Sequence, residues 1–343
     1  MSKRLTGLIC ALALFLSLSG CAAPPKEATS QIFAMDTFMT LTVYGKGIET
    51  SAEAALDQME DYIYALENAL SVTREASDIH KINTAGGERV EVGYAAAGLL
   101  DGALELCEQT GGALDVTLYP VVKAWGFTTG ENRVPSQEEL SALADRVDYT
   151  RVALEGQTVT LPAGMELDLG AVAKGYTGYQ LAVLLKELGF SSACLSLGGN
   201  VQTIGAKPNG DPWRVGVQDP ESGNALAIVD VIDKAVVTSG NYQRYFEENG
   251  RIYGHIIDPD TLSPADSGLA SVTIVADKGL YCDGLSTALF VMGLEEATHF
   301  WRQYRDFEAV FIGEDGAVTI TAGLEGSFSL ASGYENREVT ILE

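Results

Sequence analysis

Two segments carry side chains whose types and spacing could do chemistry at a phosphate. Asp283 and Thr287 are four residues apart, so on a helix they share one face, and a carboxylate with a hydroxyl is a suitable pair of ligands for Mg²⁺. A simpler alternative makes Asp283 an N-cap and Thr287 a side chain bonded to the preceding turn. His255 leaves a predicted strand toward Asp258, and in such polar surroundings it is a candidate general base, although a lone histidine is usually structural. As a base of ordinary pKa, it would give the activity a limb around pH 6 to 7.

Two further segments are rich in glycine. Residues 167–176 lie at a predicted strand-to-helix junction, where free amides and two glycines let the backbone approach a phosphate, and Lys174 supplies a cation. Alternatively, Asp168 only caps the helix and Lys174 is only solvated. Residues 196–200 place two adjacent glycines after an apolar strand, which suits either a ligand against the main chain or a tight turn.

The spacing of apolar residues predicts the elements that position these segments. Steps of three and four predict helices over residues 56–70, 94–109, 171–188, 283–292 and 295–304. A capping box formed by Ser136 and Glu139 predicts a short helix that ends near Asp145. Strands are predicted over residues 32–44, 158–161, 193–197, 213–218, 225–232, 251–257, 271–276, 308–312 and 318–321. This mixture predicts an α+β fold, with two closely joined lobes of largely antiparallel sheet and flanking helices.

The first twenty residues are typical of a signal peptide. Lys3 and Arg4 precede an apolar run over residues 5–18, which is shorter than the roughly 20 residues that a permanent membrane span needs. Small residues directly before Cys21 resemble a bacterial lipobox, which implies cleavage before Cys21 and its lipidation. The alternative is an ordinary secretory peptide with an incidental cysteine. We expect a tether over residues 21–30, a functional domain over residues 31–343, and a protein anchored by lipid to the extracytoplasmic face of the cell membrane.

The chain is strongly acidic, with a formal net charge of −25 at pH 7. Such a charge excludes nucleic acid and anionic lipid as partners bound through the protein's field. An anionic substrate must therefore be neutralised locally by a cation or by backbone amides. Cys107, Cys194 and Cys282 lie in apolar stretches without close spacing, so we expect buried thiols rather than a disulfide framework or a zinc site.

Taken in order, the four segments, together with residues 34–37 and 123–127, resemble the FAD:protein FMN transferase (ApbE) family. The resemblance runs from Met35 to about Gly293. It implies a T-fold-like architecture and a Mg²⁺-dependent reaction that cleaves FAD. The FMN half would be attached through a phosphoester bond to a threonine or serine hydroxyl of a partner, an extracytoplasmic redox protein with an FMN-binding domain. AMP would be released.

The resemblance also implies roles for particular residues. The carbonyl of Ala171, with Asp283 and Thr287, would bind Mg²⁺, and His255 would be needed for transfer. The residues expected to line FAD are Met35, Ala124, Trp125, Gly126, Asp168, Lys174 and Ile256. Thr73 stands where many family members have an aromatic residue, so a stacking contact to the flavin is either missing or supplied elsewhere.

Two rival functions remain open on the sequence alone. Water could replace the acceptor hydroxyl, which would make the protein a Mg²⁺-dependent FAD pyrophosphatase. The second rival function is that of a flavin-binding lipoprotein without catalytic activity. Such a protein would leave FAD intact, and His255 would be dispensable.

Overall fold

A nine-stranded sheet organises the computed structural model, which describes residues 26–45 and 50–343. Its strands, in order across the sheet, are β1 (Lys26–Ala34), β2 (Thr37–Gly45), β6 (Ala193–Leu197), β7 (Asn200–Ile204), β10 (Ala235–Gly240), β15 (Leu269–Ala276), β16 (Glu308–Gly313), β17 (Val318–Thr321) and β19 (Val339–Leu342). Neighbouring strands are antiparallel except for β17 and β19, which are parallel.

Smaller sheets surround this one. Two have three strands each: β3 (Arg89–Glu91), β5 (Thr158–Thr160) and β4 (Ala153–Glu155) form the first, and β18 (Phe328–Leu330), β9 (Ala225–Val231) and β8 (Trp213–Gln218) the second. Two are hairpins: β11 (Tyr245–Glu248) pairs with β12 (Arg251–Gly254), and β13 (Ile257–Asp258) with β14 (Ser263–Pro264).

Seven α-helices lie within the described residues. They are α1 (Ala52–Leu70), α2 (Asp78–Thr84), α3 (Tyr94–Gln109), α4 (Tyr119–Trp125), α5 (Gln137–Leu143), α6 (Gly170–Glu187) and α7 (Gly279–Tyr304). Helix α7 is interrupted at Gly293, whose φ of 76° is not helical, so the two consecutive helices predicted there are confirmed as two segments joined at a kink. None of these helices is long and apolar enough to span a membrane.

Apolar side chains cover both faces of the central sheet because successive strand residues point to opposite sides. On β15, Ile274 packs into a core shared with α3 and α7, whereas its neighbour Val275 packs against the sheet that contains β8 and β9. Helix α1 buries the predicted stripe of Leu56, Met59 and Ile63 against the first strands. The α+β class and the largely antiparallel sheet are therefore confirmed.

Two predicted strands differ from the structure. Residues 32–44 form a hairpin rather than one strand, because Met35 and Asp36 adopt positive φ values of 50° and 58° and reverse the chain. Neither residue is glycine, so the turn lacks its usual sequence signal. The strand predicted over residues 251–257 stops at Gly254 and resumes at Ile257. The predicted signal peptide and lipidated Cys21 lie outside the described residues and stay predictions.

Candidate functional site

Helices α6 and α7 cross in unusually close contact at a pair of glycines. A Cβ atom placed on Gly175 would lie 2.2 Å from the carbonyl oxygen of Gly279, and one placed on Gly279 would lie 2.3 Å from the carbonyl oxygen of Gly175. No side chain fits at either position without moving a helix. The crossing therefore brings Asp283, one turn further along α7, against the first half of α6.

Asp283 is buried at this crossing, with 5% of its surface exposed. Its Oδ2 accepts a hydrogen bond of 2.7 Å from the backbone amide of Gly175. In a regular α-helix the same amide donates to the carbonyl of Ala171, four residues earlier, so the Gly175 amide is a shared neighbour of Ala171 and Asp283. Burial raises the pKa of Asp283 to about 6, although Lys174 and the Gly175 amide oppose the shift.

The structure also decides between the two interpretations of Asp283. It is the fifth residue of α7, so it is not the N-cap. Thr287 does make the local bond of the simpler interpretation, since its Oγ1 lies 3.4 Å from the Asp283 carbonyl oxygen. The same hydroxyl lies 3.2 Å from Oγ of Ser239, at the end of β10, and Ser239 in turn bonds to Ser286 at 2.7 Å. Sequence reasoning missed this serine because β10 itself was not predicted.

Asn200 supplies a buried amide beside Asp283. Only 2% of the residue is exposed, and neither Nδ2 nor Oδ1 has a hydrogen-bond partner of good geometry among the described residues. The amide is nevertheless close enough to Asp283 to lower the pKa of its carboxyl. A buried amide without partners is costly, and such a group in a native protein usually marks a place for water, an ion or a ligand.

Asp168 lies at the beginning of α6. Its Oδ1 accepts a hydrogen bond of 2.8 Å from the amide of Gly170, the first residue of the helix. The N-cap residue is Leu169, so Asp168 is not the helix cap of the alternative interpretation. Burial raises the pKa of Asp168, and the Gly170 amide, Lys174 and Arg244 all oppose that shift. Lys174 and Arg244 are therefore both near this carboxylate.

His255 follows β12 and is half-buried. Its Nδ1 lies 3.1 Å from the carbonyl oxygen of Arg244. A carbonyl can only accept, so Nδ1 carries the hydrogen and the neutral ring keeps Nε2 as an acceptor. Burial lowers the pKa of His255 to about 4, and the cations of Arg244 and Lys174 act in the same direction. The imidazole is thus neutral at pH 7, and an activity limb set by this group moves below the range of pH 6 to 7 expected from the sequence.

Residues 124–126 and Ile256, which were predicted to line FAD, pack inside the protein. Trp125 donates from Nε1 to the carbonyl of Leu262 at 2.9 Å and packs its ring beside Tyr253. Gly126 ends α4 with φ of 86°. Ala124 and Ile256 are both buried. A ligand at these positions would therefore contact main-chain atoms rather than the side chains of Trp125 or Ile256.

Met35 approaches the site from the turn of the first hairpin. Its sulfur accepts a hydrogen bond of 3.8 Å from Thr177 Oγ1 on α6, and its amide donates to Glu67 at 3.0 Å. Glu67 also pairs with Arg74 at 3.0 Å, which fixes the loop of the exposed Thr73 next to this turn. Thr73, where many family members have an aromatic residue, is therefore linked through Arg74 and Glu67 to Met35, which is predicted to contact FAD.

The adjacent glycines of residues 196–200 are explained by local structure. Gly198 and Gly199 have φ values of 63° and 91° and form the two-residue turn between β6 and β7. These angles are those of a type I′ turn, which glycine adopts readily. The tight-turn interpretation therefore accounts for the glycines, and the functional signal of the segment lies in Asn200.

Cys107, Cys194 and Cys282 are free, as expected from their spacing. Burial raises the pKa of Cys107 to about 12 and that of Cys194 to about 11, and it also raises the pKa of Cys282. None of these thiols is a nucleophile at neutral pH. Residues 26–45 and 50–343 hold no group of three or more histidine, cysteine, aspartate or glutamate side chains arranged for a metal.

Comparison with known proteins gives a consistent result. A family model described as the ApbE family matches residues 35–311. The chain is 35% identical over 341 residues to an FAD:protein FMN transferase of Treponema pallidum, covering 94% of each protein, and 30% identical over 311 residues to one of Escherichia coli K12, covering 85% of this chain and 88% of the relative. Among solved structures, the apo flavinyl transferase ApbE of Pseudomonas stutzeri matches with a TM-score of 0.81 and 29% identity over 89% of this chain and 98% of that one. An ApbE protein of Thermotoga maritima matches with a TM-score of 0.80 and 31% identity, over 85% of this chain and 96% of that one.

Proposed function

This chain belongs to the ApbE family, and from that premise we propose that it is an FAD:protein FMN transferase that attaches FMN to a hydroxyl of a partner protein. The observation that carries the proposal is the arrangement around α6. A neutral imidazole whose Nε2 is open as an acceptor lies near Lys174 and Arg244, two cations that could bind the phosphates of FAD. Lys174 also lies near the buried carboxylate of Asp283.

The oxygen-rich crossing of α6 and α7 suits a hard cation such as Mg²⁺. The residues that would hold it are Asp283, the carbonyl of Ala171 and Thr287, with the unpartnered Asn200 amide beside them. The raised pKa of Asp283 supports this assignment, because a buried carboxylate is stabilised when a cation neutralises it. When bound, Mg²⁺ would neutralise the pyrophosphate and polarise its oxygens.

The reaction follows from the placement of His255. The acceptor hydroxyl attacks the phosphorus on the FMN side of FAD, so a new oxygen–phosphorus bond forms while the pyrophosphate bond to AMP breaks. Nε2 of His255 takes the hydroxyl proton, a contribution of roughly a hundred- to ten-thousand-fold for general bases of this kind. Arg244 fixes the tautomer through its carbonyl. Lys174 lies near Asp168, Asp283 and His255, where its charge faces the incoming anion.

The partner and the location belong to the same proposal. Covalent transfer requires an acceptor protein whose hydroxyl can reach His255, and we place that acceptor outside the cytoplasm because the sequence predicts export and lipidation at Cys21. An FMN-binding domain on a redox protein fits this requirement.

The test is to incubate the purified protein with FAD, Mg²⁺ and a candidate acceptor, and then to look for flavin fluorescence on the denatured acceptor in a gel. We expect a fluorescent acceptor band with the unmodified protein and with His299→Asn, an exposed histidine on α7. His255→Asn should abolish the band. FMN and AMP released without labelling would instead identify a pyrophosphatase, and intact FAD would identify a carrier.

A further inference from the structure

Arg244 brings to the candidate site a cation that the sequence did not predict to act there. It directly precedes β11, and its carbonyl oxygen accepts two hydrogen bonds of 3.1 Å, from the amide and from Nδ1 of His255. The residue that orients the candidate base therefore also carries a guanidinium. The Arg244 guanidinium can lie no further from the imidazole than the length of the arginine side chain allows.

The guanidinium is held in place without a direct ion pair. Its Nη2 donates to the carbonyl of Phe127, which is an uncharged group. It forms no ion pair with a carboxylate anywhere in residues 26–45 and 50–343. By contrast, Arg251 on the same hairpin faces Asp266 at 3.9 Å. In a chain of formal charge −25, a cation with no carboxylate in ion-pair distance can still bind an anionic ligand directly.

Lys174 is a second cation of the same kind. It too forms no ion pair within the described part of the chain, and it approaches from α6 rather than from the hairpin. Lys174 and Arg244 both lower the pKa of Asp168 and of His255, so both charges lie near the same pair of groups. Two unpaired cations from different elements define a place for an anion beside the candidate base.

We propose that Arg244 is a substrate-binding residue whose guanidinium holds the FMN-side phosphate of the flavin nucleotide. This inference rests on the proposed function. The hydroxyl that gives its proton to His255 is the group that attacks this phosphorus, so the phosphoryl oxygens lie beside His255 and within reach of its neighbour. A guanidinium fork matches two phosphoryl oxygens, and these oxygens carry much of the charge during phosphoryl transfer.

A binding experiment isolates the phosphate contact without requiring activity. FMN and riboflavin differ by the phosphate, and their affinities can be measured by flavin fluorescence in the presence of Mg²⁺. We expect the unmodified protein to prefer FMN, and Arg244→Gln to weaken FMN binding by about tenfold or more, a loss typical of one charge-assisted hydrogen bond. Riboflavin binding should change by less than about twofold. Arg244→Lys should recover part of the preference, and Arg251→Gln should behave like the unmodified protein.

A transfer assay supplies the second measurement. Arg244→Gln should lower kcat for FMN transfer by about a hundred- to a thousandfold, the usual cost of removing one donor to a transition-state oxyanion. An unchanged FMN preference in Arg244→Gln, a parallel loss of riboflavin affinity, or an equal loss in Arg251→Gln would overturn the assignment. Failure of the unmodified protein to label an acceptor or release AMP would refute the proposed function instead, while the binding comparison would still decide about Arg244.

Discussion

Replacing Asp283 with asparagine should stabilise the metal-free protein while removing its response to Mg²⁺. Burial raises the pKa of this carboxyl from 3.8 to about 6, and each unit corresponds to about 1.4 kcal/mol. Keeping the side chain ionised without a metal therefore costs the folded state on the order of 3 kcal/mol at pH 7. Asparagine keeps an oxygen that can accept from the Gly175 amide and avoids this cost.

The sign of the effect depends on pH. An acid whose pKa is raised on folding binds its proton more tightly in the native state, so stability is lost as pH rises from the unfolded value of 3.8 through about 6. In EDTA at pH 7.5, we expect the free energy of unfolding of Asp283→Asn to be higher than that of the unmodified protein by up to about 3 kcal/mol. At pH 5 the difference should be about half as large. Mg²⁺ at a hundred times its Kd should stabilise the unmodified protein by about 2.7 kcal/mol and leave the variant unchanged.

Thermal or urea unfolding with and without Mg²⁺ measures both effects. Asp101→Asn, on the exposed face of α3, is a matched control that should change neither the stability nor the response to metal. Three results would refute the role of Asp283: a lower stability of Asp283→Asn in EDTA at pH 7.5, a stability gain that does not depend on pH, or an equal stabilisation of variant and unmodified protein by Mg²⁺.

Three further predictions concern the base, the helix crossing and the anchor. At saturating Mg²⁺, kcat/KM for transfer should show no limb from His255 between about pH 5 and 9, because a pKa of about 4 leaves the base neutral there. Activity should fall only as the pH drops through about 4. A histidine-dependent limb near pH 6.5 would contradict the burial of this ring. Gly175→Ala should destabilise the protein by at least about 1–3 kcal/mol and weaken transfer, because its Cβ would lie 2.2 Å from a carbonyl oxygen. Gly98→Ala on α3 is the control: its Cβ would lie 3.6 Å from the nearest atom, so this variant should be neutral or stabilising in the same unfolding assay. Cys21→Ala should move the protein from the membrane fraction to the soluble fraction without loss of activity, and continued membrane partitioning would refute the lipobox.

The sequence predicted the elements whose pattern is local. Helix α3 has the predicted bounds, and the Ser136 cap is seen as the bond from the Glu139 amide to the Ser136 hydroxyl. The Glu139 carboxylate pairs with Arg133 instead of completing the capping box. The first hairpin was missed because its turn residues, Met35 and Asp36, carry no glycine signal. Strand β10 was missed because it is short and buried, so it shows no alternation that marks a strand.

Individual site residues were recognisable in the sequence, but the way they meet was not. The contact between Asp283 and the Gly175 amide joins residues 108 positions apart in the sequence, and it depends on a glycine crossing that no local pattern reveals. Arg244 escaped notice because its role depends on which carbonyl His255 bonds to. Asn200 was visible only as the end of a glycine pair, and its unpartnered amide becomes evident once its burial is known.

We propose that this site transfers FMN from FAD to a protein hydroxyl. The most direct test of this proposal is to quantify AMP released and FMN attached to an acceptor in the same reaction, with peptide mass spectrometry to identify the modified residue. We expect one AMP for each flavin bound, on a threonine or serine of the acceptor, with both products lost in His255→Asn. AMP formation without acceptor labelling, or labelling that persists in His255→Asn, would contradict this proposal.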